Sequence, residues 1–542
     1  MKKTRRLIAL ILSLVMVLAL AACGSKNDEP SSNPGSTPSE NSGSSDERMT
    51  LQMWTSNRDA MANENAFYVK KIEDAFNVNI EMCYRNEGAS DYGEWLALSL
   101  ASDDAPEWFR DQNVGASTLE SYADQGLVAE LDPEMIKENM PNLMAYYEKY
   151  SNIFGSDPLN LYAVDGSIYA IPDAYPASAE FCMMAVRQDW LDNLGLKAPE
   201  TLDEFTDVLR AFTNDDPDGD GAKNTYGYVG ITGSPMWGFS PIFGAFGITP
   251  DIWYAKEDGT ITRGELEVEE MTEALTYIKS IIDEGLVDPD WVTIDFNDSQ
   301  SKVVSSVDGV VWQNWISILD KETGWYAPLY QEDPNVSFAV SPGPIGKNGD
   351  RGVMQFNPLA GVGLCFSKDM ENQPEKLKKY LQVFDAIAGD PAWLEAEIWG
   401  VEGETFQYKE DGSREYIGEY TDEDARTAYG IGTDYAFPSL EVYQYDPDTQ
   451  DSIIYNAEAY QARKDTIDLC QGRWNILANY PNKSWDKMGS EYPDYFNTAM
   501  TEILLGQRPV SDYASIIQEW LDNGGQAAVD EAQGLYDQYY KN

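Results

Sequence analysis

A short acidic segment has the spacing of ligands in a calcium-binding loop. It runs Asp216-Pro-Asp218-Gly-Asp220-Gly-Ala222-Lys-Asn224-Thr225, so acidic residues alternate before a glycine. Calcium prefers about six to eight oxygen ligands, and alternation lets one tight loop turn several of them inward. We therefore expect Ca²⁺ to be held by Asp216, Asp218, Asp220, the carbonyl of Ala222, Asn224 and Thr225. A solvated acidic turn is the alternative interpretation.

The loop departs from the EF-hand pattern at its twelfth position. Gly227 stands where an EF-hand has a glutamate that binds calcium through both carboxylate oxygens. The missing ligand would come from Thr225, from a neighbouring acid such as Asp215, or from water. Because an amphipathic helix is predicted directly before the loop, we expect calcium to have a structural role.

Tryptophan is the second residue type that indicates a chemistry. The chain has 15 tryptophans, and several stand beside glycine or polar residues near predicted strand ends. Indole faces pack on sugar rings, while polar side chains pair with the hydroxyl groups. The candidates for stacking are Trp54, Trp237, Trp312, Trp315 and Trp399, and those for hydroxyl pairing are Arg85, Asp111, Gln313 and Glu402. For each single tryptophan, packing in the core is the alternative.

Histidine is absent from the whole sequence. Its absence excludes the Ser-His-Asp and Cys-His nucleophile systems and every metal site that needs imidazole. The sequence does not exclude glycoside cleavage by a pair of carboxylates. Such pairs are weak evidence, however, because 92 acidic residues form them by chance. We expect a binding protein and not an enzyme.

Acidic residues greatly outnumber basic ones. Removal of the four basic residues in the leader described below leaves 34 basic and 92 acidic residues, a net charge of −58. Nucleic-acid binding depends on neutralising phosphates, so this charge excludes that class of partner. A strongly anionic ligand is also disfavoured, unless a local basic pocket overrides the field. We expect a soluble monomer whose surface repels other copies.

The N-terminus has the parts of a bacterial export signal. Basic residues in Met1–Arg6 precede an apolar run from Leu7 to Leu20, which is too short to stay in the membrane as an anchor. The ending Leu20-Ala-Ala-Cys23 resembles the lipobox of bacterial lipoproteins, which implies that Cys23 carries lipid. We therefore expect a signal peptide at 1–22 and a disordered tether at 23–48. An ordinary secretory signal is the alternative.

The remaining chain is long enough for two or more lobes. A strand over 49–54, a helix over 64–76 and a strand over 77–83 predict a βαβ unit and thus a parallel sheet. Thr201-Leu-Asp-Glu204 is a capping box at the start of a helix. Further helices are predicted over 268–284, 375–388, 513–521 and 527–539.

Several motifs resemble those of family-1 extracellular solute-binding proteins, the lipoprotein receptors of ATP-driven sugar importers. The most specific is Arg187-Gln-Asp-Trp-Leu-Asp-Asn-Leu-Gly-Leu196, followed by Pro199-Glu-Thr-Leu-Asp-Glu-Phe205. The matching segments elsewhere are Asp165-Gly-Ser-Ile-Tyr-Ala-Ile-Pro172, Gly285-Leu-Val-Asp-Pro-Asp290, Trp399-Gly-Val-Glu-Gly403 and Glu502-Ile-Leu-Leu-Gly-Gln507. The chain is most similar to the long Gram-positive subgroup.

This resemblance implies a type II periplasmic-binding-protein fold with two discontinuous α/β lobes joined by a hinge. The first lobe would comprise 49–175 and 361–391, and the second 176–360 and 392–542. A sugar would bind between the lobes, and hinge closure would signal to the membrane permease of an ABC importer. The protein would act outside the cell membrane, held there by its lipid. A peptide-binding receptor or a secreted carbohydrate-active enzyme is the alternative.

Overall fold

The computed structural model describes residues 48–541 except 56–62, 64, 85–91, 103–104, 111–115, 155–156, 175–183, 231–232, 313–315, 320, 322–325, 357–358, 433–444, 478–479 and 493. Five residues singled out from the sequence therefore lie outside the described residues, namely Cys23, Arg85, Asp111, Gln313 and Trp315.

The strands are β1 (Met49–Thr55), β2 (Val78–Tyr84), β3 (Trp108–Arg110), β4 (Ala163–Val164), β5 (Ser167–Ile168), β6 (Ala170–Ala174), β7 (Met184–Arg187), β8 (Tyr226–Val229), β9 (Trp253–Ala255), β10 (Ile261–Arg263), β11 (Asp308–Trp312), β12 (Phe338–Ser341), β13 (Val353–Phe356), β14 (Leu359–Phe366), β15 (Phe406–Tyr408), β16 (Arg414–Tyr416) and β17 (Gln471–Trp474).

The helices are α1 (Phe67–Phe76), α2 (Tyr92–Leu100), α3 (Ala116–Asp124), α4 (Pro133–Asn139), α5 (Pro141–Lys149), α6 (Ser151–Phe154), α7 (Gln188–Leu194), α8 (Leu202–Asn214), α9 (Pro235–Gly238), α10 (Ser240–Ala245), α11 (Val268–Asp283), α12 (Phe296–Val304), α13 (Ala327–Glu332), α14 (Pro374–Gly389), α15 (Pro391–Ile398), α16 (Glu423–Tyr429), α17 (Pro447–Ile454), α18 (Ala457–Ile467), α19 (Lys483–Glu491), α20 (Tyr495–Leu504), α21 (Tyr513–Trp520) and α22 (Gln526–Tyr540). A short π-helical segment, Leu521–Gly525, joins the last two.

The first hydrophobic core forms around the N-terminal strands. β1 and β2 pair in parallel with α1 between them, which confirms the predicted βαβ unit. β14 pairs with β3 on one side and β6 on the other, in antiparallel fashion. α14 buries one face against this core, including Leu377, Leu381 and Phe384 as the helical period predicts.

The second core forms around a four-stranded sheet in the order β12-β7-β11-β8. β11 pairs in parallel with β8 and antiparallel with β7. α8 begins with the predicted capping box, in which the Thr201 hydroxyl accepts from the Glu204 amide and the Glu204 carboxylate accepts from the Thr201 amide. α8 and α11 bury their apolar faces here, as do α20 and α21 from the C-terminal part.

Two of the passages of the chain between the cores begin or end at a pair of neighbouring strands. β6 belongs to the first core and β7 to the second, while β14 returns to the first core beside β6. The β6–β14 pairing shifts register between Ala360 and Leu364, at the glycine with positive φ (Gly363, 83°). A Cβ at Gly363 would lie 2.2 Å from the carbonyl oxygen of Ile171, so only glycine fits this bulge.

One C-terminal region packs differently from the lobe assignment made on the sequence. Residues after 391 were assigned to the second lobe, yet Trp393 of α15 stacks on Phe76 of the first core, with ring centroids 5.6 Å apart. Tyr429 of α16 stacks on Phe67 at 5.3 Å. The positions of the lobe boundaries stay a prediction.

Candidate functional site

A pair of tryptophans lies at the end of the central strand of the second core. Trp312 ends β11 and is fully buried, while Trp237 lies on the short helix α9 and is 43% exposed. Their ring centroids are 5.1 Å apart, so the buried ring supports the exposed one. The Tyr228 hydroxyl donates to the Gly238 carbonyl at 2.7 Å, which ties α9 to β8. The result is an indole face held firmly at the surface of the core.

A second tryptophan pair lies at the end of the first strand of the first core. Trp54 near the end of β1 is only 8% exposed, while Trp95 on α2 is 37% exposed. The rings meet edge to face with centroids 6.2 Å apart, and Tyr92 stacks on Trp95 at 5.7 Å. Trp95 is not among the candidates that the sequence indicates. Its spacing of three residues from Tyr92 on one helical face was the available signal.

The two pairs share one design. In each, a buried indole at the carboxyl end of a strand supports an exposed indole on a nearby helix. Both strands have a parallel neighbour, β2 for β1 and β8 for β11. Ligands of open α/β sheets bind outside the carboxyl ends of the strands. We name these two pairs the aromatic platforms, Trp54/Trp95 and Trp312/Trp237.

Two other candidates from the sequence lie in a different place. The indole nitrogen of Trp399 donates to the Ile453 carbonyl at 2.7 Å, and its ring lies 4.5 Å from that of Tyr416. Glu402 is exposed in the turn before β15, two residues after Gly400. The described contacts join neither residue to the aromatic platforms. Trp399 is therefore half-buried and packed against residues outside the platforms.

The acidic loop connects α8 to β8 in the second core. Asp216, Asp218 and Asp220 each offer a carboxylate oxygen within 4.8 Å of the other two. Hydrogen bonds within the loop hold its shape. The Gly221 amide donates to the Asp216 carboxylate at 3.1 Å, and the Ala222 amide donates to the Asp220 carboxylate at 2.6 Å. Three carboxylates held this closely repel one another unless a cation lies between them. The donor set is therefore one that a hard cation fits.

The protonation of Asp218 reflects this crowding. Burial raises the pKa of its carboxyl above the ordinary value, and the negative charges of Asp220 and Asp216 raise the pKa further. A bound cation would act in the opposite direction.

Two further positions show how the loop leaves the EF-hand pattern. Thr225 is buried, and its hydroxyl donates to the Phe212 carbonyl at 2.8 Å, so it anchors the loop to α8. A Cβ at Gly227 would lie 2.7 Å from the Cβ of Leu209. No side chain fits at the twelfth position, because the chain there enters a strand packed on α8. The Asn224 amide donates to Asp220 at 3.1 Å.

Comparisons with known proteins agree on one family. Residues 60–384 match the family model described as bacterial extracellular solute-binding protein. The chain is 23% identical over 481 residues to the polygalacturonan/rhamnogalacturonan-binding protein YtcQ of Bacillus subtilis, covering 87% of this chain and 88% of that one. It is 26% identical over 372 residues to the fructooligosaccharide ABC transporter substrate-binding protein FusA of Streptococcus pneumoniae, covering 66% and 64%.

A solved structure shows the same fold. It is the EF-hand mutant of Streptococcus pneumoniae FusA in complex with fructo-nystose, with a TM-score of 0.64 and 21% identity. The alignment covers 91% of this chain and the whole of that chain.

Proposed function

The chain belongs to the bacterial extracellular solute-binding proteins, as its motifs predicted, and on that premise we propose that it captures an oligosaccharide for an ABC importer. The expected two-lobed α/β fold is confirmed. The observation that carries the proposal is the pair of aromatic platforms, one at each core. Its relatives support the proposal, because YtcQ is named as a polygalacturonan/rhamnogalacturonan-binding protein and FusA as a fructooligosaccharide ABC transporter substrate-binding protein.

The surface charge favours a neutral oligosaccharide within this class. The protein without its leader carries a net charge of −58, which repels a polyuronate at long range. A neutral chain of sugar rings meets no such barrier. Stacking on the exposed faces of Trp95 and Trp237 would then supply the contact area.

We expect the lobes to close about the crossings that adjoin β6 and β14. A ligand that touches Trp95 and Trp237 together binds the closed arrangement better than the open one, and this difference shifts the population toward closure. The strands β6 and β14 run side by side where the chain passes between cores. The closed form would be the one that the permease recognises. None of these steps breaks or forms a covalent bond in the sugar, as expected of a binding protein.

We further propose that the acidic loop binds Ca²⁺ through Asp216, Asp218 and Asp220, with the Ala222 carbonyl and Asn224 as additional ligands. The solved FusA structure is that of an EF-hand mutant, which supports a calcium site in this fold. When bound, the ion would neutralise the three carboxylates and hold α8 against β8. We expect this role to be structural, because the loop joins α8 to β8.

The membrane attachment completes the proposal. Lipid on Cys23 and the tether at 23–48 would hold a monomeric body at the outer face of the membrane, near its permease. Among the described residues, no helix is both long and apolar enough to cross a membrane.

Calorimetric titration of the purified protein with fructooligosaccharides, oligogalacturonides and short peptides tests the function. We expect saturable binding of a neutral oligosaccharide, with the sugar recovered unchanged by chromatography. Binding of peptides alone would favour the peptide-receptor alternative, and shorter products would favour the enzyme. Either result overturns the proposal.

A further inference from the structure

The exposed tryptophan of the second platform stands on a helix too short to hold its own position. Helix α9 comprises only Pro235–Gly238, and it carries Trp237, which is 43% exposed. Isolated helices shorter than about 12 residues are barely stable in water, because the first turn fixes several dihedral angles for a single hydrogen bond. Contacts with other elements must therefore set the direction of the Trp237 ring.

The end of α9 is fixed by the second core. Besides the hydrogen bond from Tyr228 to the Gly238 carbonyl, the chain at Gly230 approaches so closely that a Cβ there would lie 3.0 Å from the Gly238 Cα. Trp312 supports the Trp237 ring at a centroid distance of 5.1 Å. All of these contacts involve residue 237 or 238, so the start of the helix needs a different anchor.

Asn497 of helix α20 provides an anchor at the start of α9. The Ser234 hydroxyl donates to Asn497 Oδ1 at 2.8 Å, and the Met236 amide points at the same oxygen from 3.5 Å. Ser234 does not cap the helix with its own side chain. Since Pro235 has no N–H, Met236 carries the first free amide of α9. The Asn497 oxygen thus lies where an N-cap side chain would lie, although it comes from 263 residues later in the chain than Ser234.

Helix α20 is a fixed support for this contact. Its side chains Phe496, Met500 and Ile503 are buried in the second core. The Tyr495 hydroxyl donates to the Ile516 carbonyl at 3.1 Å, which ties α20 to α21. The helix also lies beyond residues 60–384, which match the family model. A C-terminal part of this chain, outside the matched residues, therefore contacts the helix that carries the platform.

We propose that Asn497 is a positioning residue for sugar stacking, which acts by fixing α9 and thereby the face of Trp237. The inference rests on the proposed function, because the direction of this face matters only if a ligand stacks on it. A ring that is already in place loses less freedom when the ligand binds, so ordering offsets less of the contact energy. Without the Asn497 oxygen, the start of α9 loses this hydrogen bond to α20, and the Trp237 ring moves over a wider range relative to Trp312.

Four variants separate positioning from a general effect on stability. Asn497→Leu keeps the approximate shape of the side chain and removes the oxygen, whereas Asn497→Asp keeps an acceptor and suits the first turn of a helix. Ser234→Ala removes the donor of the same hydrogen bond, so it provides the test if Asn497→Leu does not fold. Thr498→Leu places the same side chain at the next position of α20, which is exposed, and is the matched control.

The first measurement is calorimetric titration with fructooligosaccharides and oligogalacturonides. Asn497→Leu and Ser234→Ala should weaken binding about fivefold, which corresponds to the contribution of a typical hydrogen bond. Asn497→Asp and Thr498→Leu should bind within about twofold of the wild type. In a Trp237→Ala background, Asn497→Leu should weaken binding no further, because its effect passes through that ring.

The second measurement does not depend on a sugar. Two indole rings with centroids 5.1 Å apart couple in their ultraviolet transitions. The circular-dichroism spectrum of the wild type minus that of Trp237→Ala therefore isolates the signal of the Trp312/Trp237 pair. The corresponding difference should be weaker in Asn497→Leu, while Asn497→Asp and Thr498→Leu should retain it.

Several results would overturn the positioning role. They are unchanged affinity in Asn497→Leu and Ser234→Ala, a loss in Asn497→Asp as large as that in Asn497→Leu, and a loss that persists in the Trp237→Ala background. An unchanged pair signal in Asn497→Leu overturns it as well, and the proposed function then stands if the wild type binds a sugar. If the wild type binds no oligosaccharide, the proposed function fails, while a pair signal that weakens in Asn497→Leu and not in Asn497→Asp still supports the positioning of Trp237.

Discussion

Trp237 and Trp399 resemble each other in sequence and differ completely in the fold. Each is followed directly by glycine, and both are sugar-stacking candidates by their sequence setting. Trp237 presents an exposed face supported by Trp312, whereas Trp399 donates its indole nitrogen to Ile453 and packs on Tyr416. A tryptophan beside glycine is thus not a ligand contact by itself. What separates the two is whether other parts of the chain cover the ring.

The strongest way to break this comparison is Trp399→Ala. Loss of a packed indole and its hydrogen bond should lower the free energy of unfolding by about 3 kcal/mol, at the low end for tryptophan because the ring is only half-buried. Urea denaturation measures the change. The sugar affinity of the folded protein should stay within about twofold. A stable variant with weakened sugar binding would place Trp399 in the site.

Removal of calcium should affect the region of Trp237 and leave that of Trp399 alone. At a concentration one hundred times its Kd, the ion should stabilise the protein by about 2.7 kcal/mol, because it binds the folded loop only. Thermal melts with calcium or EGTA measure this difference. Asp220→Asn should abolish it. Asp411→Asn, in the turn between β15 and β16, is the control and should retain it.

Trp237→Ala should weaken sugar binding with little effect on stability, which is the opposite of the result expected for Trp399→Ala. We expect sugar affinity to fall at least tenfold, about 1.4 kcal/mol, while the free energy of unfolding changes by less than about 1 kcal/mol. Calorimetry and urea denaturation together provide the test. Trp95→Ala should behave in the same way if both platforms hold the ligand. Trp312→Ala should weaken binding as well, but with a larger loss of stability, because that ring is buried.

The smallest expected effect concerns the pH dependence of the acidic loop. Because the pKa of Asp218 is raised in the folded protein, the folded state binds more protons than the unfolded one. Without calcium, protonation of Asp218 therefore stabilises the folded state at low pH. This contribution is lost as the pH rises from the ordinary carboxyl pKa through the raised pKa of Asp218. Wild type and Asp218→Asn should therefore diverge in urea denaturation with EGTA as the pH rises above the ordinary carboxyl range. An identical pH dependence would contradict the crowding of the three carboxylates.

Local sequence patterns predicted the helices and strands better than they predicted the residues of the candidate site. The capping box at Thr201, the βαβ unit from Met49 and the helix at Val268–Asp283 all depend on residues close together in sequence. Trp95 and Asn497 are not among the residues that the sequence indicates. Both depend on contacts between distant segments, such as the meeting of α9 with α20, which no spacing along the chain reveals.

The sequence by itself determined the family, the α/β class and the acidic loop, because motifs, hydrophobic periods and turn residues act over a few neighbouring positions. Only the tertiary structure decided which tryptophans present a face and which are covered. Burial depends on what the rest of the chain places above a ring. Trp237 is 43% exposed beside β11, while Trp399 is half-buried against Ile453 and Tyr416.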